Sequence, residues 1–154
     1  MIHCARGFTL LEIMVVLVIA AVAFTIVPVM LAGTALTTEI RGSVRQLASG
    51  LRAARSEAIT RQVEGTVTVD LEARRFQVSG RAREGQLPAA ESVEIKLYTA
   101  QEELVDDSIG RIRFFPDGSS TGGHVSMMDE RVEYRVNVDW LTGRVDIVER
   151  DRQP

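Results

Sequence analysis

Glu12 is the first residue of this sequence whose chemistry needs an explanation, because it is a carboxylate inside an apolar stretch. It is preceded by Phe8-Thr-Leu-Leu and followed by Ile-Met-Val-Val-Leu-Val-Ile. A charged side chain at the centre of a bilayer costs roughly 2.5–3.5 kcal/mol on insertion scales, and such residues usually have a charged partner. Glu12 is therefore either neutralised by a nearby cation or hydrated at the level of the lipid headgroups.

A glycine-rich segment, Gly118-Ser-Ser-Thr-Gly-Gly123, is the next candidate, because such loops can bind phosphate. A phosphate-binding P-loop requires a terminal Gly-Lys-Ser/Thr and a following helix, and the sequence shows neither. Pro116 and Asp117 come directly before the segment and are typical of a turn. We therefore predict a tight turn between two strands and no cofactor.

The remaining reactive side chains do not form a recognisable catalytic or metal-binding pattern. Nucleophilic catalysis needs a base beside the nucleophile, but His124 is near Ser119 and Ser120 only in sequence, and we expect a surface histidine. Cys4 is the one cysteine, which excludes an intramolecular disulfide and a zinc cluster. The acidic residues do not have the spacing of a calcium loop; they include Asp106, Asp107, Asp117, Asp129 and Glu130. We expect no metal site and no enzyme activity.

The elements that carry these residues follow from an uneven distribution of charge. The range Ile13–Leu36 has no charged residue, whereas charges are frequent beyond Glu39. About 20 apolar residues suffice to cross a bilayer, and no small-residue signal-peptidase site follows this run. We predict one transmembrane helix over residues 8–36, kinked or loosened by Pro28. Arg6 precedes the helix and orients its amino terminus towards the cytoplasm.

Beyond Thr38 the sequence has the pattern of an amphipathic helix. Apolar residues recur in alternating steps of four and three and so form one stripe: Ile40, Val44, Leu47, Leu51, Ala54 and Ala58. We predict that the helix continues over residues 37–62 and packs this stripe on the carboxy-terminal body. Charged residues between them are expected to face solvent or neighbouring subunits: Arg41, Arg45, Arg52, Arg55 and Glu57.

Residues 63–154 are predicted to form an antiparallel β domain, because apolar and polar residues alternate along several short runs. The predicted strands are Thr66–Leu71, Arg75–Ser79, Val93–Tyr98, Ile112–Phe115, Val132–Val138 and Arg144–Val148. The pattern over residues 104–110 leaves strand and loop open, and an irregular, mobile loop is expected over residues 80–91. The predicted fold class is α+β, with one long amino-terminal helix packed on an antiparallel sheet domain.

The segment Gly7-Phe-Thr-Leu-Leu-Glu12 resembles the processing site of type IV pilins and type II secretion pseudopilins. In that family a prepilin peptidase cuts after the glycine and methylates the new amino terminus. The resemblance implies a leader of residues 1–7, cleavage between Gly7 and Phe8, and N-methylation of Phe8. The new amine of one chain would then neutralise Glu12 of a neighbouring chain during assembly. The resemblance further implies a type IV pilin-like fold and an inner-membrane anchor with the β domain in the periplasm.

Two segments near the carboxy terminus, Phe115–Gly123 and Val138–Val145, resemble signatures of the GspH/FimT group, and within it the GspH subfamily. Trp140 in the second segment is expected to be a packing anchor. The resemblance implies a minor pseudopilin, a structural subunit at the tip of the periplasmic pseudopilus of a type II secretion system. Its expected partners are the other minor and major pseudopilins, the prepilin peptidase and the inner membrane, and the group implies no catalytic residues.

An alternative is a minor pilin of FimT type, involved in type IV pilus assembly or DNA uptake. The formal net charge is −3, and the last residues alternate Arg150 and Arg152 with Glu149 and Asp151. Binding to nucleic acid depends on net positive charge along the phosphate backbone, which this alternation weakens. We therefore do not expect a nucleic-acid partner.

Overall fold

The computed structural model describes residues 9–82 and 84–152, without the side chains of residues 24–35. Residues 1–8, which contain the predicted cleavage site, lie outside the described residues. Within the described part the elements are α1 (Leu10–Arg61), β1 (Gly65–Asp70), β2 (Arg75–Val78), β3 (Gly85–Gln86), β4 (Glu94–Thr99), β5 (Ile109–Phe114), β6 (Gly123–Met128), β7 (Val132–Val138) and β8 (Val145–Asp151). A short 3-10 helix, Gln101–Glu103, connects β4 to β5.

The chain divides into two compact units, Met1–Thr37 and Thr38–Pro154. In the first unit, α1 begins at Leu10 and includes Pro28, and the kink predicted at Pro28 stays a prediction. The large apolar side chains between Leu10 and Val22 are exposed. Over the parts of the chain that the structure describes, no helix combines the length and the apolar character needed to span a membrane.

The second unit contains two four-stranded antiparallel sheets and the part of α1 that follows Thr38. Sheet 1 has the order β3-β2-β1-β5, and sheet 2 has the order β4-β6-β7-β8. The predicted apolar stripe of α1 is fully buried and shares one core with the inner faces of both sheets. The α+β architecture and the amphipathic helix predicted from sequence are therefore confirmed.

Close approach between α1 and sheet 1 depends on two glycines. A Cβ atom at Gly65, at the start of β1, would collide with the backbone carbonyl of Ala54 in α1. A Cβ atom at Gly50 would lie 3.0 Å from the ring of Phe76 in β2. Glycine at both positions lets the helix backbone lie directly on the sheet, and the valines of β1 fill the remaining space.

One central strand, β6, is missing from the sequence prediction. Its burial does not alternate, since the last four of its six residues, Val125–Met128, are buried. On the outer face of sheet 2, the hydroxyl of Ser126 accepts a hydrogen bond from Arg135 and donates one to Glu133, so long polar side chains cover it. A strand covered on both faces lacks the period of two by which strands are recognised.

The segment expected to be an irregular, mobile loop over residues 80–91 is instead organised in its second half. It contains β3, which pairs with β2, and the backbone N–H of Ala89 donates to the carboxylate of Glu39 at 2.8 Å. Arg74 has a left-handed backbone conformation, with φ of 50°. Its guanidinium donates hydrogen bonds to the carbonyls of Pro88 (2.7 Å), Ala90 (2.9 Å) and Val93 (3.2 Å). The expectation of an irregular loop was wrong here, because a distant arginine supplies the missing donors.

We expect Arg74→Ala to lower the free energy of unfolding by about 2 kcal/mol, because three carbonyls lose a charged donor. The matched control is Arg75→Ala, which removes only exposed ion pairs with Asp70 and Glu84 and should cost roughly 0–1 kcal/mol. Urea unfolding of both variants measures the difference. Equal stability of the two variants would contradict the bracing role of Arg74.

We expect a chain that begins at Thr38 to be soluble and folded, because the buried stripe and both sheets lie beyond this residue. Cooperative thermal unfolding and a monomeric elution volume would establish this. The control is a chain that begins at Ala48, which lacks Ile40, Val44 and Leu47 of the core and should aggregate. Aggregation of the longer chain as well would show that the boundary is misplaced.

Candidate assembly site

The helix α1 begins with a side-chain cap from Thr9. The backbone N–H of Glu12 donates to the Thr9 hydroxyl at 3.2 Å and to the Thr9 carbonyl at 3.1 Å. Such a cap satisfies an N–H group of the first helical turn that has no partner within the helix. The cap was not predicted from the sequence, although threonine followed by glutamate three residues later is a known signal for a helix start.

The carboxylate of Glu12 lies exposed in the first turn of α1. A negative charge is favourable there, because the amino-terminal end of a helix carries a partial positive charge. Glu12 therefore has a local role within its own helix besides the predicted role in assembly. Gly7 and Phe8 lie outside the described residues, so the predicted contact between Glu12 and a new amino terminus stays a prediction.

The two carboxy-terminal signature segments contact each other, and we call them the signature loops (residues 115–123 and 138–145). The N–H of Ser120 in the first loop donates to the carbonyl of Trp140 in the second at 2.8 Å. Gly122 has φ of 73°, and a Cβ atom there would lie only 2.9 Å from the Cβ of Trp140. Only glycine fits this position without strain, which explains part of the sequence signature.

The side chain of Arg55 links α1 to both signature loops. Its Nε donates to the carbonyl of Gly118 in the first loop at 3.2 Å. Gly143 in the second loop has φ of 61° and lies directly against the Arg55 side chain and the Gly118 carbonyl. Residues far apart in the sequence therefore meet at one place beside the helix.

Two further helix arginines bind the strands of sheet 2. Arg41 donates to the hydroxyl of Tyr134 at 2.7 Å and to the carboxylate of Glu149 at 3.1 Å. Hydrogen bonds from Tyr134 and Arg41 lower the pKa of Glu149, which keeps the carboxylate charged. Arg52 donates to the carbonyl of Val145 at 2.9 Å. Arg41 and Arg52 are exposed, as expected, but they also bind the β domain. The expectation that Arg55 faces solvent or neighbouring subunits was wrong, because Arg55 is half-buried against the first signature loop.

Two carboxylates close the turns of the signature loops. Asp117 accepts hydrogen bonds from the hydroxyl and the N–H of Ser119, at 2.6 and 2.9 Å. Asp139 accepts from the N–H and the hydroxyl of Thr142, both at 2.8 Å. These bonds lower the pKa of both carboxyl groups. The glycine-rich segment connects two strands, β5 and β6, as predicted, and is followed by a strand and not by a helix.

Trp140 is not the packing anchor expected from the sequence. Its side chain is 66% exposed, and that of Leu141 is 63% exposed. The backbone on either side is held by the hydrogen bonds of Asp139 and Ser120. The turn therefore presents its two large apolar side chains to the surroundings, because the loop backbone and not the indole fixes its conformation.

His124 lies in β6 and is half-buried, which corrects the expectation of a surface histidine. Its ring stacks on Tyr98 of β4 with centroids 4.5 Å apart. Burial, and after it the charge of Arg135, lowers the pKa of His124. Over residues 9–82 and 84–152, no group of three or more histidine, cysteine or acidic side chains could hold a metal ion.

Comparison with known families gives two matches. Residues 43–142 match the profile described as "Type II transport protein GspH", and residues 2–28 match the "Prokaryotic N-terminal methylation motif". The chain is also 32% identical over 140 residues to the type II secretion system protein H of Xanthomonas campestris pv. campestris. The alignment covers 91% of this chain and 81% of that protein.

Two solved structures share the fold. One is the type IV minor pilin FimU of Pseudomonas aeruginosa, with a TM-score of 0.55 and 12% identity over 76% of this chain and 95% of that chain. The other is the minor pseudopilin EpsH of Vibrio cholerae, with a TM-score of 0.55 and 15% identity over 71% of this chain and 96% of that chain. These likenesses confirm the pilin-like fold that the sequence predicted. By its family match and its relative, the chain belongs to the GspH family of type II secretion minor pseudopilins.

Proposed function

We propose that this chain is anchored in the inner membrane, matured by a prepilin peptidase, and built into the tip of a pseudopilus, where it serves as a structural subunit and not as an enzyme. The observation that carries the proposal is the methylation motif at residues 2–28, in which Glu12 follows the cut by a fixed interval. In this proposal residues 8–36 cross the membrane once, the amino terminus faces the cytoplasm, and the β domain lies in the periplasm.

The physical basis of maturation is charge neutralisation. Before cleavage the chain has no free amine near Glu12, and a lone carboxylate is costly in hydrocarbon. Cleavage between Gly7 and Phe8 creates a cation at Phe8, which could lie beside Glu12 of an adjacent subunit. Such a contact would exist only for processed chains, so processing would control incorporation.

The described body supports a structural role. Three arginines of α1 bind hydroxyl, carboxylate and carbonyl groups of the β domain, so the domain is fixed to the helix that carries it. A rigid connection of this kind suits a subunit that presents surfaces to neighbours. The proposed neighbours are the other minor and major pseudopilins, with the prepilin peptidase as a transient partner.

We expect Gly7→Ala to block cleavage, so that precursor accumulates in the inner membrane. The reason is that the proposed cleavage motif has glycine directly before the cut, and the substitution removes it. Mass spectrometry of membranes that contain the prepilin peptidase measures the processed fraction. The matched control is Ala5→Gly in the same leader, which should be cleaved normally. Normal cleavage of the Gly7 variant would argue against the proposed processing site.

We expect Glu12→Leu to be cleaved normally but to lose incorporation into the pseudopilus. The substitution keeps the backbone N–H that Thr9 caps, so the start of the helix should not change. Crosslinking to neighbouring subunits after assembly measures incorporation. Glu12→Gln has the same shape without the charge and should fail equally, whereas efficient incorporation of this variant would exclude an ionic contact.

A further inference from the structure

Among the four edge strands that the described residues form, β8 is the one that is both long and open. The edge strand β3 has two residues. The edges of β4 and β5 meet near Thr99, where its hydroxyl donates to the carbonyl of Arg111 at 2.6 Å. Gly110 of β5 lies against the side chains of Leu97 and Thr99 of β4. The strand β8 covers Val145–Asp151 and, among the described residues, pairs with β7 alone.

The register shows which backbone groups of β8 face outward. Just beyond one end of the β7–β8 ladder, the N–H of Asp139 donates to the carbonyl of Arg144 at 3.0 Å. Just beyond the other end, the N–H of Arg152 donates to the carbonyl of Arg131 at 2.8 Å. Bonded and non-bonded pairs alternate along an antiparallel ladder. The even-numbered residues 144–152 therefore bond to β7. The odd-numbered residues direct their N–H and carbonyl groups to the open side: Val145, Ile147, Glu149 and Asp151.

Arg52 supports this assignment and limits the open stretch. Its guanidinium binds the carbonyl of Val145, one of the groups that the register directs outward. The outward groups of Ile147, Glu149 and Asp151 remain. Soluble proteins usually protect such edges with charged side chains, especially lysine, or with proline, a bulge or a covering loop. The strand β8 carries four charged residues, Asp146, Glu149, Arg150 and Asp151, but it contains no lysine and no proline, and its pairing with β7 is uninterrupted.

A row of arginines on α1 lies beside this edge. Arg41, Arg45 and Arg52 are separated by four and seven residues and so share one flank of the helix. Arg41 reaches Glu149 and Arg52 reaches Val145, which places Arg45 between these two along the strand. Within the described part of the chain, neither Arg45 nor Arg52 forms an ion pair; Arg45 donates to the carbonyl of Arg41. The edge near Val145 and Ile147 therefore borders on uncompensated positive charge.

We propose that the open edge of β8 receives an extended segment of another pilin-like subunit, which adds a strand to sheet 2 and brings a carboxylate to Arg45 and Arg52. Backbone hydrogen bonds to Ile147, Glu149 and Asp151 would hold the segment, and the arginines would select it by charge. The inference rests on the proposed function, because it names the surface through which the subunit joins its neighbours.

The direction of the helix argues against antiparallel pairing with a second copy. Along α1, the order Arg41 to Arg52 follows β8 from Glu149 back to Val145, so helix and strand are antiparallel. Two copies paired antiparallel through β8 would have their helices pointing in opposite directions. A pair of opposite polarity does not match the single orientation that the subunits have in the proposed pseudopilus.

The experiment uses the full chain, expressed in membranes with the other pilin-like subunits of its own system. Ile147→Pro removes an N–H on the open edge without removing a bond to β7, and Ile147→Ala is its matched control. Arg45→Glu reverses the charge beside the edge, and Arg81→Glu is the control, because Arg81 is exposed and lies outside β8 and its arginine row. Co-purification from detergent measures how much of another subunit each variant retains. Hydrogen exchange measures the protection of the backbone amides of residues 145–151.

We expect Ile147→Pro and Arg45→Glu to lower the amount of co-purified subunit about ten-fold, which corresponds to about 1.4 kcal/mol of binding free energy. Both controls should stay within about two-fold of the original chain. In the complex, the amides of Ile147, Glu149 and Asp151 should become protected, whereas those of the even-numbered residues are protected already. If Ile147→Pro disturbs the β7–β8 ladder itself, the Arg45→Glu variant and the hydrogen-exchange pattern still test whether the edge of β8 is the binding surface.

Unchanged retention by both variants, or no new protection at the odd-numbered amides, would overturn the inference and leave the proposed function standing. Retention of a second copy of the chain through β8 would also overturn it. If the original chain retains no other subunit, the proposed function itself fails. The two failures are therefore distinguishable.

Discussion

The buried stripe of α1 is the contact on which the rest of the body depends. Each of the two sheets has one apolar face, and neither could bury that face alone. The stripe from Ile40 to Ala58 lies in the core that both sheets share, so the helix joins them into one unit. The same helix begins at Leu10, within the apolar stretch that we propose as the anchor. In the proposed function, folding of the body and attachment to the membrane therefore use the same element.

The two flanks of this stripe have different tasks. On one flank, Gly50 lets α1 approach sheet 1, and Glu39 binds the segment after β3. On the other flank, Arg41, Arg52 and Arg55 extend over sheet 2 and the signature loops. Arginine suits this task, because its planar fork can donate to carbonyl and hydroxyl groups at the end of a long apolar stem. On a helical wheel these arginines appear to face only solvent, but in this protein their side chains also contact the β domain.

The sequence predicted the elements with strong periodicity and missed those without it. The stripe of α1 and the alternating strands β1, β2 and β7 were recovered, because one face of each is buried. The strand β6 was missed, since burial on both faces hides the alternation, and β3 was missed because two residues carry no period. The contacts of Arg74 and Arg55 could not be predicted, because they join residues distant in sequence.

At the candidate site, too, local patterns could be predicted from the sequence, whereas contacts between distant segments could not. The family and the position of Glu12 were readable from the amino-terminal motif, which is a local pattern. The meeting of the two signature loops was not readable, although both loops were recognised separately, because a sequence does not reveal which turns lie side by side. The exposure of Trp140 was misjudged for the same reason, since hydrogen bonds between the loops replace the packing that the indole was expected to supply.

The aspartates that close turns link the stability of these loops to pH. Hydrogen bonds lower the pKa of Asp106, Asp117 and Asp139 in the folded chain. A carboxyl group whose pKa is lower when folded stabilises the fold above its ordinary pKa of about 4, and this contribution disappears as the pH falls through the lowered value. Protonation would remove acceptors from these loops while the apolar core, which has no charge to lose, stays intact. Acidification should therefore weaken these turns, together with the contact between Arg41 of α1 and Glu149 of β8, because the pKa of Glu149 is lowered as well.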